Sequence, residues 1–456
     1  MTVTQWFALV LQFASLALLR VFLGKRWLRR PATLLVIASV VYDGVIQVLL
    51  SFPSVAQWDY FRNGIASEYE GDAMLLLSAG MLAFTAGFLL TGRGRQEPPS
   101  AESTAACAKV LDWRLLALAC VPLLALTYAG RGYNGDAAPQ APGTVPSPTA
   151  AGTFFVIVVT LTAVSFLLRH GTRLMVTVLA AQSLILAAAG ERIPVIGAAA
   201  ALIICCARAG LRPSRRQVTA MLVLTVALTG VISMAKAGQA RRLFEQDTGA
   251  AARASALGGA LISPPAPAAG TPGFAGQAAW RLDGTVYTAG ILQARASGHP
   301  LLPASAVPES LLLAVPRALW PGKPDTGNAL DPYQAQITAF GLAPVNYMPG
   351  VAGLYAGYLA APWLLAFLAF LGMAWGAAER WILTRVTPAR LVLLAGSALA
   401  GVTYEAGLPA LLGLLRPAAV IAVTAWLAGM LRRGPRAASR RRGTGPGGAA
   451  AQPGIS

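Results

Sequence analysis

Long apolar segments separated by short charged loops dominate the chain. The apolar windows fall at about 5–23, 32–51, 73–91, 114–129, 152–168, 174–190, 193–207, 217–235, 348–376, 391–404 and 409–431. A helix needs about 20 apolar residues to cross roughly 30 Å of hydrocarbon. The pattern predicts an all-α polytopic membrane protein with about 11 transmembrane helices.

Composition supports a membrane protein. Of the 456 residues, 56% are hydrophobic and only 12% are charged, whereas soluble domains carry about 25% charged residues. A soluble protein of this composition would expose large apolar patches and aggregate. Frequent Ala, Gly, Pro and Arg indicate a GC-rich bacterial genome. The cysteines show no CxxC spacing and no His partner, which argues against a disulfide framework or a zinc site.

The basic residues cluster in alternate loops. A net charge of +18 would favour nucleic-acid binding in a soluble protein. Here the basic clusters follow the positive-inside rule, which makes a nucleic-acid partner unnecessary. We expect a bacterial inner (plasma) membrane protein with an extracytoplasmic N-terminus and a cytoplasmic C-terminus. The clusters lie at 25–30, 93–114, 169–173, 208–216, 380–390 and 432–442.

This topology divides the chain into four parts: an N-terminal transmembrane bundle (1–236), a long extracytoplasmic loop (237–347), C-terminal transmembrane helices (348–431) and a basic disordered cytoplasmic tail (432–456). In the loop, Leu282, Val286 and Ala289 recur at helical spacing. They predict a short amphipathic helix from about 278 to 296. A second apolar stretch at 311–315 is expected on the membrane surface.

The long loop also concentrates the residues best suited to chemistry. Arginine offers a planar fork of donors for phosphate, aromatic side chains anchor at headgroup level, and prolines fix an extended path. Together they suit a site that holds a lipid pyrophosphate at the outer surface with a sugar above it. The residues are Arg281 and Asp283 in WRLDG, Arg317, Trp320 and Lys323 in VPRALWPGKP, and Tyr347 before the Gly-rich PGVAGLYAGY.

Structural explanations compete with this hypothesis. The WPGKP string is also explained as a rigid re-entry loop anchored at the membrane interface by Trp320 and Lys323. Arg281 and Asp283 are equally compatible with a solvated helix face, and their i, i+2 spacing points them apart.

Several charges outside the loop motifs are further candidates. Glu191 and Arg192 lie at the tip of a predicted outer hairpin, where Arg192 is either a second phosphate-binding cation or part of a solvated turn. Glu405 and Arg416 flank the last outer turn. They can pair with each other, or Arg416 can face a lipid phosphate.

Two isolated residues complete the candidates. Asp43 falls near the middle of the second span, where a carboxylate is costly and a function is the default hypothesis; a hydrogen bond within the bundle is the alternative. His299, in the outer loop, could act as a base, although a turn residue is the better-favoured role. No Walker, GxGxxG, HExxH or GxSxG motif occurs in a matching context.

The layout resembles the bacterial O-antigen and capsule repeat-unit polymerases. The resemblance is carried by GERIP after the sixth span, WRLDG, and VPRALWPGKP with the Gly-rich segment that follows, over residues 190–376. It implies transfer of a growing glycan from undecaprenyl pyrophosphate onto a lipid-linked acceptor at the outer face, in surface polysaccharide biosynthesis. Implied partners are the lipid-linked oligosaccharide, the bilayer, and chain-length regulator and flippase proteins.

The resemblance also implies residue roles. Arg192, Arg281 and Arg317 would hold the pyrophosphate, assisted by Lys323. Because the leaving group is a pyrophosphate, fixed cations can stabilise its charge without a metal or cofactor. The acceptor hydroxyl needs a base, and the candidate bases are Asp283, Glu191 and Glu405. The further predicted substrate-binding residues are Trp320, Tyr347 and Arg416.

Two other functions remain open. O-antigen ligases, which are related, use a loop histidine, but His299 matches no such pattern, and this favours a polymerase. A flippase or transporter for lipid-linked glycans should line several spans with charge and show repeat symmetry. Here most unexplained charge lies in one outer loop, with Asp43 as the main exception.

Overall fold

A computed structural model of the chain describes most of the sequence, and every element in the described ranges is helical. The described residues are 1–52, 68–93, 98–129, 150–187, 192–237, 259, 284–312, 315, 320, 332–342, 350–403 and 408–431. The first nine helices are α1 Val3–Leu23, α2 Pro31–Leu50, α3 Glu68–Thr91, α4 Ala101–Val110, α5 Trp113–Ala129, α6 Ala150–His170, α7 Met175–Ala187, α8 Arg192–Arg208 and α9 Arg215–Ala237. The helices that follow are α10 Gly284–Ala296, α11 Ala306–Leu312, α12 Pro332–Phe340, α13 Gly350–Tyr355, α14 Ala361–Thr384, α15 Pro388–Val402 and α16 Leu408–Leu431.

Local sequence signals explain several helix starts. A capping box opens α1, in which the Thr2 side chain accepts from the Gln5 N–H and Gln5 accepts from the Thr2 N–H. Proline stands in the first turn of α2, α14 and α15, where its missing N–H has no helical partner to lose. The middle of α2 is a π-helix, Val40–Val45.

The chain is an all-α, membrane-embedded protein. Among the described residues, six helices are long and apolar enough to cross a membrane: α1, α2, α3, α6, α14 and α16. Three more apolar helices are shorter, at Thr172–Leu186, Ile193–Arg208 and Pro388–Val402. The predicted number of about 11 spans is therefore not reached within this part of the chain.

Helix α15 shows why a short apolar window need not be a complete span. Its 15 residues extend about 22 Å, against roughly 30 Å of hydrocarbon. A Cβ at Gly401, near its C-terminal end, would lie 2.5 Å from the Pro31 carbonyl oxygen at the start of α2. The predicted topology places these two residues at opposite faces, so a complete span at 391–404 is not confirmed.

The window at 348–376, predicted as one span, contains two helices. Helix α13 ends at Tyr355 and α14 begins at Ala361. Between them, a Cβ at Gly357 would lie 2.8 Å from the Phe340 ring and 2.9 Å from the Gln336 carboxamide carbon. The chain therefore turns close against α12, and Pro362 then starts α14, which continues to Thr384.

Backbone contact between α3 and α14 forms the centre of the first of two helix clusters. This cluster contains α1–α3, α10–α14 and the start of α16, and the second contains α4–α9, α15 and the rest of α16. A Cβ at Gly87 would collide with the Ala369 carbonyl, and one at Gly372 with the Phe84 carbonyl. A Cβ at Gly376 would likewise lie 2.7 Å from the Phe88 carbonyl oxygen. Small residues allow such close approach between membrane helices, as in GxxxG pairs.

The predicted loop helix lies inside the first cluster. Helix α10 packs along α3 and contacts the π-helix of α2. All residues from Gly284 to Ile291 are buried, so the first two turns of the predicted helix are enclosed, while half-buried and exposed residues follow in its C-terminal part. Gly284, Ala289 and Gly290 give it the slim profile that this enclosure needs. Its observed start is Gly284, while positions 278–283 lie outside the described residues.

Buried hydrogen bonds attach the helices that follow α10. The Tyr287 hydroxyl of α10 donates to Gln336 Oε1 at 3.2 Å, and Gln336 donates to the Leu354 carbonyl of α13. Ser310 and the Tyr355 hydroxyl are 3.1 Å apart. The Leu302 N–H donates to the Gly357 carbonyl at 2.9 Å. The segments 284–312, 332–342 and 350–360 thus form one unit with the bundle.

A buried ion pair closes the N-terminal end of α2. Arg30 Nη1 lies 3.2 Å from Glu379 Oε1, and the two side chains are 5% and 1% exposed. Glu379 Oε2 also accepts from the Ala32 N–H at 3.0 Å. The carboxylate therefore caps α2 while it neutralises Arg30, an arginine that the sequence indicated only as a topological signal.

Other basic residues of the predicted cytoplasmic loops also bind helix ends. Arg169 donates to the Ala108 carbonyl at 3.0 Å, and Arg208 donates to the Leu383 carbonyl at 2.8 Å. Guanidinium groups near helix C-termini are electrostatically favourable. These arginines have a structural role in addition to the predicted topological one.

We expect Gly372→Ala to lower the free energy of unfolding by about 1–3 kcal/mol, because the added methyl group forces α14 away from α3. Thermal unfolding of the detergent-purified protein measures the change. Gly429→Ala is the matched control, since a Cβ there meets nothing within 4 Å and alanine favours the helix. Equal stability of the two variants would contradict the observed backbone contact.

We expect Glu379→Gln to lower the free energy of unfolding by about 3–5 kcal/mol, because it leaves the Arg30 charge buried without a counter-charge. Asp112→Asn is the control, since the Arg169–Asp112 pair, at 3.5 Å, has side chains that are 34% and 28% exposed. Loss of this exposed pair should lower the free energy of unfolding by about 1 kcal/mol or less. Comparable losses for both variants in unfolding measurements would show that the Arg30–Glu379 pair is accessible to water.

Candidate functional site

A polar cleft opens where the first turn of α3 meets the C-terminal end of α10. Its volume is about 530 Å³, within the range of roughly 300–1,000 Å³ that is usual for ligand sites. We call it the α3–α10 cleft. Tyr69, Asp72, Arg295 and His299 supply its polar side chains, and Leu292, Ala296, Pro300 and Leu301 line the remainder.

Helix geometry brings the α3 residues to the cleft. Tyr69 and Asp72 are spaced i, i+3 and therefore share one face of α3. Gly71 lies on another face, where a Cβ would be 3.4 Å from both the Thr2 hydroxyl and the Thr4 Cβ. The N-terminal ends of α1 and α3 are thus side by side, and on the predicted topology this end is the outer one.

A Schellman motif ends α10 and positions its cleft residues. The His299 N–H donates to the Ala294 carbonyl at 3.1 Å, and the Gly298 N–H donates to the Arg295 carbonyl at 3.0 Å. Gly298 has φ +96°, a conformation that glycine adopts without strain. Pro300 then prevents the helix from continuing. The C-terminal end of α10 meets the N-terminal end of α3, so the two helices run antiparallel.

The same turn fixes the histidine ring. His299 Nδ1 lies 3.0 Å from the Ala294 carbonyl oxygen, which can only accept a hydrogen bond. Nδ1 therefore carries the proton in the neutral ring, and Nε2 presents a lone pair. The ring also meets the edge of Phe340, with centroids 6.5 Å apart. This arrangement suits a group that accepts a proton through Nε2.

The cleft combines one cation, one carboxylate and one imidazole. Arg295 is half-buried, while Asp72 and His299 are exposed. Arginine recognises phosphate oxygens by paired hydrogen bonds, and Asp72 and Tyr69 offer groups that bind sugar hydroxyls. The arrangement can hold a ligand that has both an anionic group and hydroxyl groups.

Most of the site residues predicted from the sequence cannot be placed relative to this cleft. Trp320 is described and half-buried, and Arg416 is a half-buried residue of α16 whose guanidinium is 3.6 Å from a Cβ built on Gly413. Neither lines the cleft. Arg192 begins α8, and only its backbone is described. The remaining predicted residues lie outside the described part of the chain: Glu191, Arg281, Asp283, Arg317, Lys323, Tyr347 and Glu405.

Sequence reasoning overlooked Tyr69, Asp72 and Arg295. It singled out neither the two α3 residues nor Arg295. A usable signal was present: Gly298 and Pro300 follow an apolar helical pattern, which is the usual signature of a helix end. Residues just before such an end lie close to the helix terminus, where loops and ligands meet. His299, which the sequence did identify, belongs to this end.

No group of three or more His, Cys, Asp or Glu side chains that could hold a metal occurs among the residues the structure describes.

Asp43 is separate from the cleft. It is fully buried in the π-helix of α2 and accepts a hydrogen bond from Ser39 Oγ at 2.9 Å.

Comparison with known proteins adds no relative. No family model matches the chain, and neither a curated protein nor a solved structure matches it. Functional reasoning therefore rests on the cleft, on the membrane-embedded fold and on the sequence motifs.

We expect cysteine labelling to report which side of the membrane the cleft faces. Ser297→Cys, exposed beside the cleft, should react with an impermeant maleimide in intact cells. Ala101→Cys, exposed at the start of α4, should react only after permeabilisation. The opposite pattern would reverse the predicted orientation.

The unmodified protein provides the background for this measurement. Burial raises the pKa of the Cys107 thiol to about 12, despite the nearby Arg208 charge. At pH 8 this thiol stays protonated and should not react, because the thiolate is the nucleophile. Cys205 and Cys206 are fully buried. Strong labelling of the folded, unmodified chain would show that one of these thiols, or the half-buried Cys120 of α5, is open to the reagent.

Proposed function

We propose that the chain is an oligosaccharide repeat-unit polymerase, which transfers a glycan from undecaprenyl pyrophosphate onto a lipid-linked acceptor at the outer face of the membrane. The α3–α10 cleft is the observation that carries the proposal. It places a cation, a carboxylate and an imidazole at the predicted outer end of membrane-embedded helices, and α10 belongs to the long segment that contains the predicted motifs.

The chemistry of the donor suits this cleft. The acceptor hydroxyl oxygen attacks the anomeric carbon, the bond from that carbon to the pyrophosphate oxygen breaks, and undecaprenyl pyrophosphate leaves. Arg295 would stabilise the charge that develops on the leaving group, which fixed cations do effectively in a preorganised site. The hydroxyl proton passes to a base, for which His299 Nε2 has the required lone pair and orientation.

The predicted loop residues fit as additional parts of the site. Arg281 and Asp283 directly precede the buried start of α10 in sequence, and Arg317 and Lys323 lie between α11 and α12. In this proposal Arg317 shares the pyrophosphate with Arg295, and Arg192 at the start of α8 contributes from the second cluster. Arg281 precedes the N-terminal end of α10, roughly 16 Å along the helix axis from Arg295, and would bind another part of the lipid-linked substrate. Chain-length regulator and flippase proteins are the corresponding proposed partners.

His299 in the cleft favours a second candidate, an O-antigen ligase-like transferase. Such an enzyme uses the same donor and breaks the same bond, but it delivers a finished glycan to a different acceptor. The sequence argument against a ligase was that His299 matches no ligase pattern, whereas the structure places this histidine in the lining of the cleft. The two candidates differ only in the acceptor.

A glycan-ladder assay tests the proposal. A strain lacking the protein is complemented with the wild-type chain or with Arg295→Ala, Arg281→Ala or Arg317→Ala at equal membrane abundance. We expect deletion to leave single lipid-linked repeat units at the outer face. Loss of one oxyanion-stabilising group costs about 10²–10³-fold in rate, so Arg295→Ala should shorten or abolish the ladder.

Arg212→Ala is the matched control, because Arg212 is exposed in a predicted cytoplasmic loop and its loss should leave the ladder intact. Full-length polymer from all three test variants would show that the site assignment is wrong. Polymer that accumulates on the lipid carrier after deletion would identify a ligase. Repeat units retained at the cytoplasmic face would identify a flippase.

A further inference from the structure

The turn that joins α1 to α2 is a short 3₁₀ helix, Gly24–Arg29, whose inner face is fixed to the bundle. Residues three apart lie on one face of a 3₁₀ helix, because it has three residues per turn. The face of Trp27 and the following Arg30 points inward, since Trp27 is half-buried against the first cluster and Arg30 is held by Glu379 at 3.2 Å. The Thr33 hydroxyl also donates to the Trp27 carbonyl at 2.7 Å. The segment is therefore held in one orientation, at the end of the bundle opposite the α3–α10 cleft.

The two outer faces of this 3₁₀ helix carry three basic residues and one leucine. Arg26 and Arg29 share one face, where a rise of roughly 2.0 Å per residue puts them about 6 Å apart along the axis. Lys25 and Leu28 share the other face, and all four residues are exposed. None of the three basic residues forms an ion pair with another residue that the structure describes. Two neighbouring guanidinium forks are thus available to phosphate oxygens.

An aromatic ring holds a further arginine beside this segment. Helices α1 and α3 run parallel, with their N-terminal ends side by side at Gly71. At their C-terminal ends, Arg93 Cζ lies 4.1 Å from the centroid of the Phe22 ring. A cation–π contact restrains an arginine without neutralising its charge, and Arg93 is exposed. Because Phe22 precedes Lys25 by only three residues, Arg93 adds a cation next to the start of the 3₁₀ helix.

Apolar surface lies directly beside these charges. Leu28 is 53% exposed, and Val21 and Phe22 at the end of α1 are exposed as well. A free phosphate ion would leave this apolar surface in water. A phospholipid offers a phosphate immediately above its acyl chains, so it satisfies the cations and covers the apolar side chains together. The ligand that fits this surface is therefore both anionic and amphipathic.

We propose that the 3₁₀ helix and Arg93 bind the headgroup of an anionic phospholipid, such as phosphatidylglycerol, in the leaflet opposite the α3–α10 cleft. Arg26 and Arg29 donate to the phosphate oxygens, while Leu28 packs against the acyl chains. On the predicted topology this is the cytoplasmic leaflet, where basic clusters next to membrane helices recognise anionic lipids. The positive-inside rule accounts for the sign of these charges, but not for two arginines on one face next to an exposed leucine. The inference goes beyond the proposed function and does not depend on it.

Thermal unfolding of the detergent-purified protein tests the inference, with added phosphatidylglycerol compared to phosphatidylcholine of the same acyl chains. Phosphatidylglycerol should raise the unfolding midpoint of the wild-type protein by roughly 2–4 °C more, in a saturable manner. Arg26→Gln combined with Arg29→Gln should raise the apparent Kd for phosphatidylglycerol about 30-fold, since each basic residue near an anionic headgroup contributes about fivefold. Leu28→Ser, which retains every charge, should also weaken binding, because it removes the contact with the acyl chains.

Arg212→Gln combined with Arg215→Gln is the matched control. These arginines are exposed, are also three residues apart and lie in another loop of the same predicted face, so their loss should leave the Kd unchanged. Each shift is measured from the variant's own midpoint in detergent alone, which separates lipid binding from basal stability. Equal wild-type midpoints in the two lipids would overturn the inference, as would an equal rise in Kd for both double variants, which indicates general attraction to basic surface. Inorganic phosphate that reproduces the full shift would identify an anion site and exclude a lipid site.

Discussion

Direct backbone contact between α3 and α14 is the constraint on which the first helix cluster depends. Hydrocarbon is as apolar as the helix surfaces, so burying leucine against leucine gives membrane helices little reason to associate. Close approach provides the attraction instead, through dispersion contacts that act only at short range. Gly87, Gly372 and Gly376 allow this approach, and the Thr91 hydroxyl adds a hydrogen bond to the Met373 carbonyl at 2.6 Å. Because α3 also carries α1 and α10 on its other faces, the position of the α3–α10 cleft follows from the same contact.

Several polar groups inside the bundle neutralise or hydrogen-bond one another. Glu379 balances the Arg30 charge and caps α2, while Gln336 links α10 to α13. Such pairings specify which helices are neighbours, because a wrong neighbour would leave a charge or an amide in an apolar environment. Apolar contacts hold the clusters together, and these few polar contacts determine their arrangement.

Hydropathy was sufficient to predict the fold class and the longest helices, including α1, α2, α3, α6 and α16. It could not predict the break between α13 and α14, because Gly357 is constrained by Phe340 and Gln336, which are distant in sequence. Nor could it predict that the first two turns of α10 are enclosed, since a short helix of small residues has the same periodicity at a surface as inside a bundle. The α3–α10 cleft required the approach of Asp72 to Arg295, which no local pattern encodes, whereas the motifs that attracted attention lie mostly outside the described residues.

The Arg30–Glu379 pair has a consequence for biogenesis. Its partners are separated by 349 positions, and translation proceeds at roughly 5–20 residues per second. Arg30 is therefore synthesised roughly 20–70 seconds before Glu379 exists. During that interval its guanidinium has to remain at the headgroup layer, where water and lipid phosphates can solvate it. The first cluster can close only after the ribosome has nearly finished, so its final assembly follows the insertion of the earlier helices into the membrane. A truncated product that ends before α14 would present a permanently open groove to membrane quality control.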